Sequence, residues 1–166
     1  MRSVILLNGP IGVGKTTLGR VLADRLAGAF IDSDELSDPT RTWLEEVLSG
    51  ARRLVAAGMA ALEAAPVLVV AKPLRRRDWV FLKSAFAAHG VAAYCVTLTA
   101  DPARIPAAGR GRRFSAAERA RIVEMVAQGY GARPFSDVTL ATDRAKFADT
   151  VAELTAACRA MLASRA

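Results

Sequence analysis

Four apolar residues, Val4-Ile5-Leu6-Leu7, lead through Asn8 into Gly9-Pro10-Ile11-Gly12-Val13-Gly14-Lys15-Thr16-Thr17. This junction constrains the fold more than any other stretch of the chain. The pattern is G-x-x-x-x-G-K-[ST], a P-loop. A triphosphate is a dense anion that needs several donors on a concave backbone, and glycines let successive N–H groups converge on its β-phosphate. The lysine then reaches the β and γ oxygens, and the threonine hydroxyl ligates magnesium. All nine residues from Gly9 to Thr17 are therefore expected to bind nucleotide, with Lys15 also catalytic and Thr16 also a metal ligand. Context agrees with the motif. The apolar run before it reads as a buried parallel strand, and Leu18, Val21, Leu22 and Leu26 follow at helical spacing.

Apolar runs and helical patterns continue to alternate. Strands are expected near 3–8, 29–32, 67–71, 92–99 and 137–141, and helices near 15–27, 40–64, 75–89, 115–129 and 145–163. Alternation of this kind demands a parallel sheet covered on both faces. A length of 166 residues, 52% of them apolar, suits one such domain. In the last helix Phe147, Val151, Leu154, Cys158 and Met161 form the apolar stripe. Cys95 and Cys158 lack metal-ligand spacing and read as reduced core thiols. His89 beside Gly90 reads as a helix C-cap, and Trp79 as helix packing. The chain enters its first strand directly after Met-Arg-Ser and has no apolar stretch of ~18 residues, so a cytoplasmic protein without a membrane span is expected. The net charge of +7 is spread over short arginine groups without a basic tail, which argues against nucleic acid as the partner and suits a pocket for several phosphates.

Asp32-Ser33-Asp34 follows the second strand. Residues two apart in an extended strand share a side, so both carboxylates can face the crevice at the strands' carboxyl ends. Asp32 is assigned to the metal and Asp34 to the acceptor hydroxyl, which it would orient or deprotonate. The alternative is that Asp34 or Ser33 only caps a following helix. The third strand ends in Ala71-Lys72-Pro73 with no acid, which argues against a motor or switch ATPase and for a small phosphotransferase. Lys72 either contacts an anionic acceptor or caps a strand end in solvent.

Residues 100–114 hold Arg104, Arg110, Arg112 and Arg113, with glycines on both sides of Arg110, ahead of a helix opened by the Ser115/Glu118 capping box. Clustered guanidiniums on a mobile segment suit a lid that neutralises a transferring phosphoryl group. Arg113 is the first candidate for that catalytic contact and Arg110 the second. Arg104 or Arg110 would stack on the adenine. In the basic stretch Arg75 to Arg77, Arg75 is the best functional candidate.

On its P-loop, Asp32-Ser33-Asp34 turn, arginine lid and final strand and helix, the chain resembles the shikimate kinase, gluconate kinase and adenylylsulfate kinase group of small-molecule kinases. The resemblance implies an α/β P-loop NTPase fold for residues 1–166 as one domain. Its five-stranded parallel sheet would have the order 2-3-1-4-5, with helices on both faces and a mobile lid at about 104–114. It implies ATP and Mg2+ as cofactors, a small hydroxyl-bearing substrate, and a monomer or weak homodimer. Arg133, ahead of Pro134, looks like the shikimate kinase arginine that reaches the substrate, and Arg52 or Arg53, with Arg53 preferred, would lie near that family's substrate arginine. Trp43 lies in the region that closes over acceptors in related kinases and would line the pocket. Ala71-Lys72-Pro73 stands where shikimate kinases carry three glycines, and is closer to the basic stretch of gluconate and adenylylsulfate kinases. A nucleoside or nucleotide kinase and an ATP-binding regulatory or nucleic-acid-associated module are the alternatives.

Overall fold

Strands buried on both faces must be apolar at consecutive positions, and the two that run most uniformly so, Val4–Leu7 and Val67–Ala71, lie at the centre of the sheet. In the computed structural model, which describes residues 2–38, 40, 42–105 and 113–164 with backbone alone at 43–48, the strands are β1 (Ser3–Asn8), β2 (Ala29–Asp32), β3 (Val67–Ala71), β4 (Ala92–Thr99) and β5 (Val138–Ala141). All pair in parallel, in the order β2-β3-β1-β4-β5, as expected. Ser3 to Leu7 stand opposite Val67 to Ala71 on one side, and Ser3 to Asn8 opposite Ala92 to Thr97 on the other.

The helices are α1 (Lys15–Arg25), α2 (Trp43–Ala64), α3 (Arg76–Ala87), α4 (Ala116–Ala127) and α5 (Phe147–Ala163), with a 3-10 turn at Ser33–Leu36 that the sequence pattern did not announce. The period-2 alternation of the strands splits the core into two layers. Ile5, Leu7, Val69, Val96 and Leu98 pack with Leu18, Leu22, Leu154 and Cys158 of α1 and α5. Val4, Leu6, Leu68, Val70 and Cys95 pack with Leu54, Leu62, Leu82 and Phe86 of α2 and α3.

Local expectations hold at several points. The Ser115 hydroxyl accepts from the Glu118 N–H at 3.1 Å while the Glu118 carboxylate accepts from the Ser115 N–H at 2.8 Å, a reciprocal cap on α4. Trp79 is buried and stacks on Phe135, ring centroids 5.6 Å apart. The C-cap of α3 is Ala88 rather than His89, which stands one residue further on with its N–H donating to the Phe86 carbonyl. Both cysteines are buried, and burial pushes Cys95 up to about 11 and Cys158 up to about 12. Phe147 departs from its expected place: it opens α5 and is 52% exposed, because the first turn of the helix overhangs a cleft rather than the core. Among the described residues, no helix is long and apolar enough to cross a membrane.

Candidate active site

β1 is central, so its carboxyl end, where the chain turns into the P-loop, lies at the point where the strand order changes direction, the usual ligand crevice of such sheets. Gly12 takes φ +79°, and a Cβ there would fall 2.6 Å from Ile105 Cγ2 and 2.7 Å from Phe114 Cζ. Only glycine permits that backbone with those neighbours. The residues flanking the arginine-rich segment thus clasp the loop. From the other side the Thr142 hydroxyl donates to the Val13 carbonyl at 2.9 Å. Lys15 Nζ donates to the carbonyls of Gly9 (3.0 Å) and Pro10 (2.8 Å), folded back over the loop. Burial holds its pKa down at about 8, partly offset by the charges of Asp34 and Asp32.

The two acids separate in role. Asp32 Oδ2 accepts from the Thr16 hydroxyl at 2.6 Å, and Oδ1 accepts from the Asp34 N–H at 3.1 Å. The cap on the 3-10 turn is therefore Asp32, not Asp34 or Ser33. Capping fixes Asp32 beside Thr16 and leaves the Asp34 carboxylate with no hydrogen bond among the described residues.

Two cavities meet there. A cleft of about 860 Å³ runs along the P-loop from Lys15, Thr16 and Asp32 past Arg104 and Phe114 to Phe147. A smaller cavity of about 230 Å³ holds Lys72, Arg75, Arg77 and Tyr130, with Leu36 and Leu54 as apolar wall. Asp34 and Pro73 line both. Of the residues assigned from the sequence, Ile11, Gly12, Gly14, Lys15, Thr16, Thr17, Asp32, Asp34 and Arg104 come together in the cleft, and Lys72 in the smaller cavity. Gly9, Pro10 and Val13 are buried in the loop's base.

Three assigned arginines stand elsewhere. Arg53 donates to the Leu36 carbonyl (3.3 Å) and the Ser49 hydroxyl (2.8 Å), tying α2 to the 3-10 turn. Arg133 donates to the carbonyls of Leu74 and Gln128, each at 3.0 Å. Arg113 is exposed and lines neither cavity. Arg110 and most of the 104–114 lid lie outside the described residues, as does the side chain of Trp43.

Sequence reasoning missed Phe114, Thr142, Phe147 and Tyr130. The first, second and fourth stand alone in loops with no spacing to mark them, and Phe147 was absorbed into a helical stripe. It also missed Asn8, fully buried at the end of β1. Its Nδ2 donates to the Thr97 hydroxyl (3.0 Å) and the Tyr130 carbonyl (2.9 Å), and its Oδ1 accepts from the Leu74 N–H (2.8 Å). Asn8→Ala removes all three bonds and orphans the Leu74 N–H and the Tyr130 carbonyl, while Thr97 keeps the Ser136 hydroxyl; it should lower stability by about 2–4 kcal/mol in denaturant titration. A loss below about 1 kcal/mol would show that water replaces the amide.

A phosphate-binding loop at a strand-order switch, followed by a carboxylate pair, defines a P-loop domain, and residues 4–133 match the family described as an AAA domain, to which the chain belongs. The match ends before β5 and α5. A 30-residue stretch is 57% identical to the shikimate kinase of Psychrobacter cryohalolentis, covering 18% of this chain and only 16% of that protein. The whole fold is similar to that of a gluconokinase from Sinorhizobium meliloti 1021 (TM-score 0.69, 19% identity, 97% of this chain and 95% of that one). It is also similar to the Mycobacterium tuberculosis APS kinase solved with AMPPNP and APS (TM-score 0.66, 15% identity, 95% and 98% covered). The fold is that of the kinase group the sequence resembles.

Proposed function

We propose that this protein is an ATP-dependent phosphotransferase that moves the γ-phosphoryl group to a hydroxyl of a small metabolite or antibiotic carrying a carboxylate or phosphate. One observation carries the reading: Asp34 lines both the P-loop cleft and the smaller cation-lined cavity, so a single carboxylate touches donor and acceptor spaces. About 230 Å³ is below the ~300–1,000 Å³ of pockets for drug-sized ligands. That favours a small polyol acid over a nucleoside monophosphate.

The residues divide the work. The P-loop amides and Lys15 hold the phosphates, Lys15 exchanging its two carbonyl partners for phosphate oxygens. The Thr16 hydroxyl and Asp32 form an adjacent oxygen pair suited to a hard cation. Among the described residues no cluster of three or more acidic, histidine or cysteine side chains could hold an ion by itself. That fits Mg2+, which is usually shared with substrate phosphates and water. Bound ATP–Mg2+ would supply the γ-phosphorus and neutralise part of its charge. Asp34 accepts a hydrogen bond from the acceptor hydroxyl and takes its proton as the new O–P bond forms and the bond from the γ-phosphorus to the β,γ-bridging oxygen breaks, with ADP as the leaving group. Arg110 is the lid candidate for the transferring charge, Arg113 would reach it only by leaving its exposed position, and Arg104, with Phe147, borders the base. Lys72 draws the acceptor's anion, while Arg53 and Arg133 hold the wall behind it through their bonds to the Leu36, Leu74 and Gln128 carbonyls.

The test is ADP release with ATP–Mg2+ against a panel of sugar acids, cyclitol acids, phosphosugars, aminocyclitol antibiotics and nucleoside monophosphates. Stimulation by an acidic polyol or a small anionic antibiotic is expected. Stimulation by nucleoside monophosphates alone would reassign the protein as a nucleotide kinase, and nucleotide binding with no stimulation by any compound would defeat the reading.

A further inference from the structure

Tyr130 has more constraints on it than a loop residue at a cavity wall needs. It is 4% exposed, yet it lines the smaller cavity. Gly129 ahead of it takes φ +76°, which ends α4 and swings the chain back towards the sheet. Its carbonyl accepts from buried Asn8, and its ring lies under the Arg133 guanidinium, Cζ to centroid 4.1 Å. Arg133 in turn is pinned to the Leu74 and Gln128 carbonyls. The ring is therefore fixed from behind and below. Its hydroxyl accepts one bond, from Arg75 Nε at 3.2 Å, and that contact leads the causes that raise the Arg75 pKa. Among the described residues, the Arg75 Nη1 and Nη2 groups make no hydrogen bond.

A guanidinium held by Nε keeps its terminal pair free, and that planar pair matches two oxygens of a carboxylate or phosphate. The backbone of Arg75 is also set, its N–H donating to Asp78 Oδ2 at 3.0 Å. We propose that Tyr130 is the specificity-determining residue of the smaller cavity: its hydroxyl turns Arg75 so that Nη1 and Nη2 form a fork for the acceptor's anionic group. Arg133 acts as the brace of the Tyr130 ring and not as a ligand. The proposal deepens the phosphotransferase reading and rests on it for the word acceptor, but the anion site stands on geometry alone.

The test uses inorganic phosphate as the probe, with AMPPNP–Mg2+ saturating the P-loop. Phosphate titration of the wild-type chain should shift the Arg75 Nε–H resonance. Tyr130→Phe keeps the ring and its cation-π brace and removes only the hydroxyl. It should weaken phosphate binding about 5- to 10-fold, with the thermal midpoint and AMPPNP affinity unchanged, a combination that a packing role would not produce. Arg75→Lys, which keeps the charge and loses the fork, should weaken it at least as much. Equal phosphate affinity in the wild type and Tyr130→Phe, or no shift at Arg75 in the wild type, overturns the proposal. Tyrosine-dependent phosphate binding without phosphotransfer to any acceptor would instead keep the site and sink the kinase reading.

Discussion

Asp34→Asn is expected to abolish most phosphotransfer, lowering kcat by about 10²–10⁴-fold, the range that a positioned general base contributes. Nucleotide affinity should stay within about twofold. The reason is positional. Asp32, not Asp34, caps the 3-10 turn and meets Thr16, so exchanging the Asp34 carboxylate for an amide leaves the turn and the metal-side pair intact. An asparagine can still orient a hydroxyl but cannot take its proton. Steady-state rates on the acceptor found by the panel, with fluorescent-nucleotide binding alongside, measure both quantities. A variant that keeps kcat within threefold would remove Asp34 from the chemistry, and Asp32 would then be the carboxylate to test.

Lys15→Met should be the second large effect, a fall of at least about 10²–10³-fold in turnover, as for loss of one preorganised donor at a transferring group. Methionine keeps the length and apolar stem, so the fold should survive. The pH dependence follows from the free-enzyme pKa of about 8. Bound phosphates stabilise the ammonium and raise that value, so binding takes up a proton when the free lysine is neutral. ATP affinity is then fully expressed below pH 8 and declines as pH rises through and above it. Calorimetry in buffers of different ionisation enthalpy should register the proton uptake near pH 8.5. Lys15→Met should show weak affinity with no slope across that range. A wild-type affinity flat from pH 7 to 9 would mean that Lys15 stays charged in the free enzyme.

The nucleotide half of the site was legible because its chemistry is local. The P-loop contributes consecutive residues, and the apolar run before it and the helical spacing after it predict the strand and helix that give the loop its shape. The Asp32-Ser33-Asp34 turn was legible for the same reason, although which carboxylate capped the turn was not. Apolar runs and helical spacing also predicted each strand and α-helix among the described residues, though not the 3-10 turn, with errors of only a few residues at their ends, since frayed ends carry no burial signal.

The proposed acceptor side was hidden by its assembly. Its cavity is built from residues 33–37, 50–54, 72–78 and 130, segments that approach one another only after β3 pairs with β1 and the end of α4 returns to the sheet. No spacing in the chain joins Tyr130 to Arg75, which are 55 positions apart, yet one hydrogen bond gives both a role. The resemblance to shikimate kinases drew attention to Arg133, whose guanidinium the fold commits to two carbonyls and an aromatic face. By itself, then, the sequence determined a P-loop at the end of a central parallel strand, where polyphosphate binding is proposed, because convergent amides need only a short contiguous segment. Tertiary structure alone decided where Asp34 stands between two cavities and which arginine faces the smaller one, because side-chain direction there depends on partners distant in the chain.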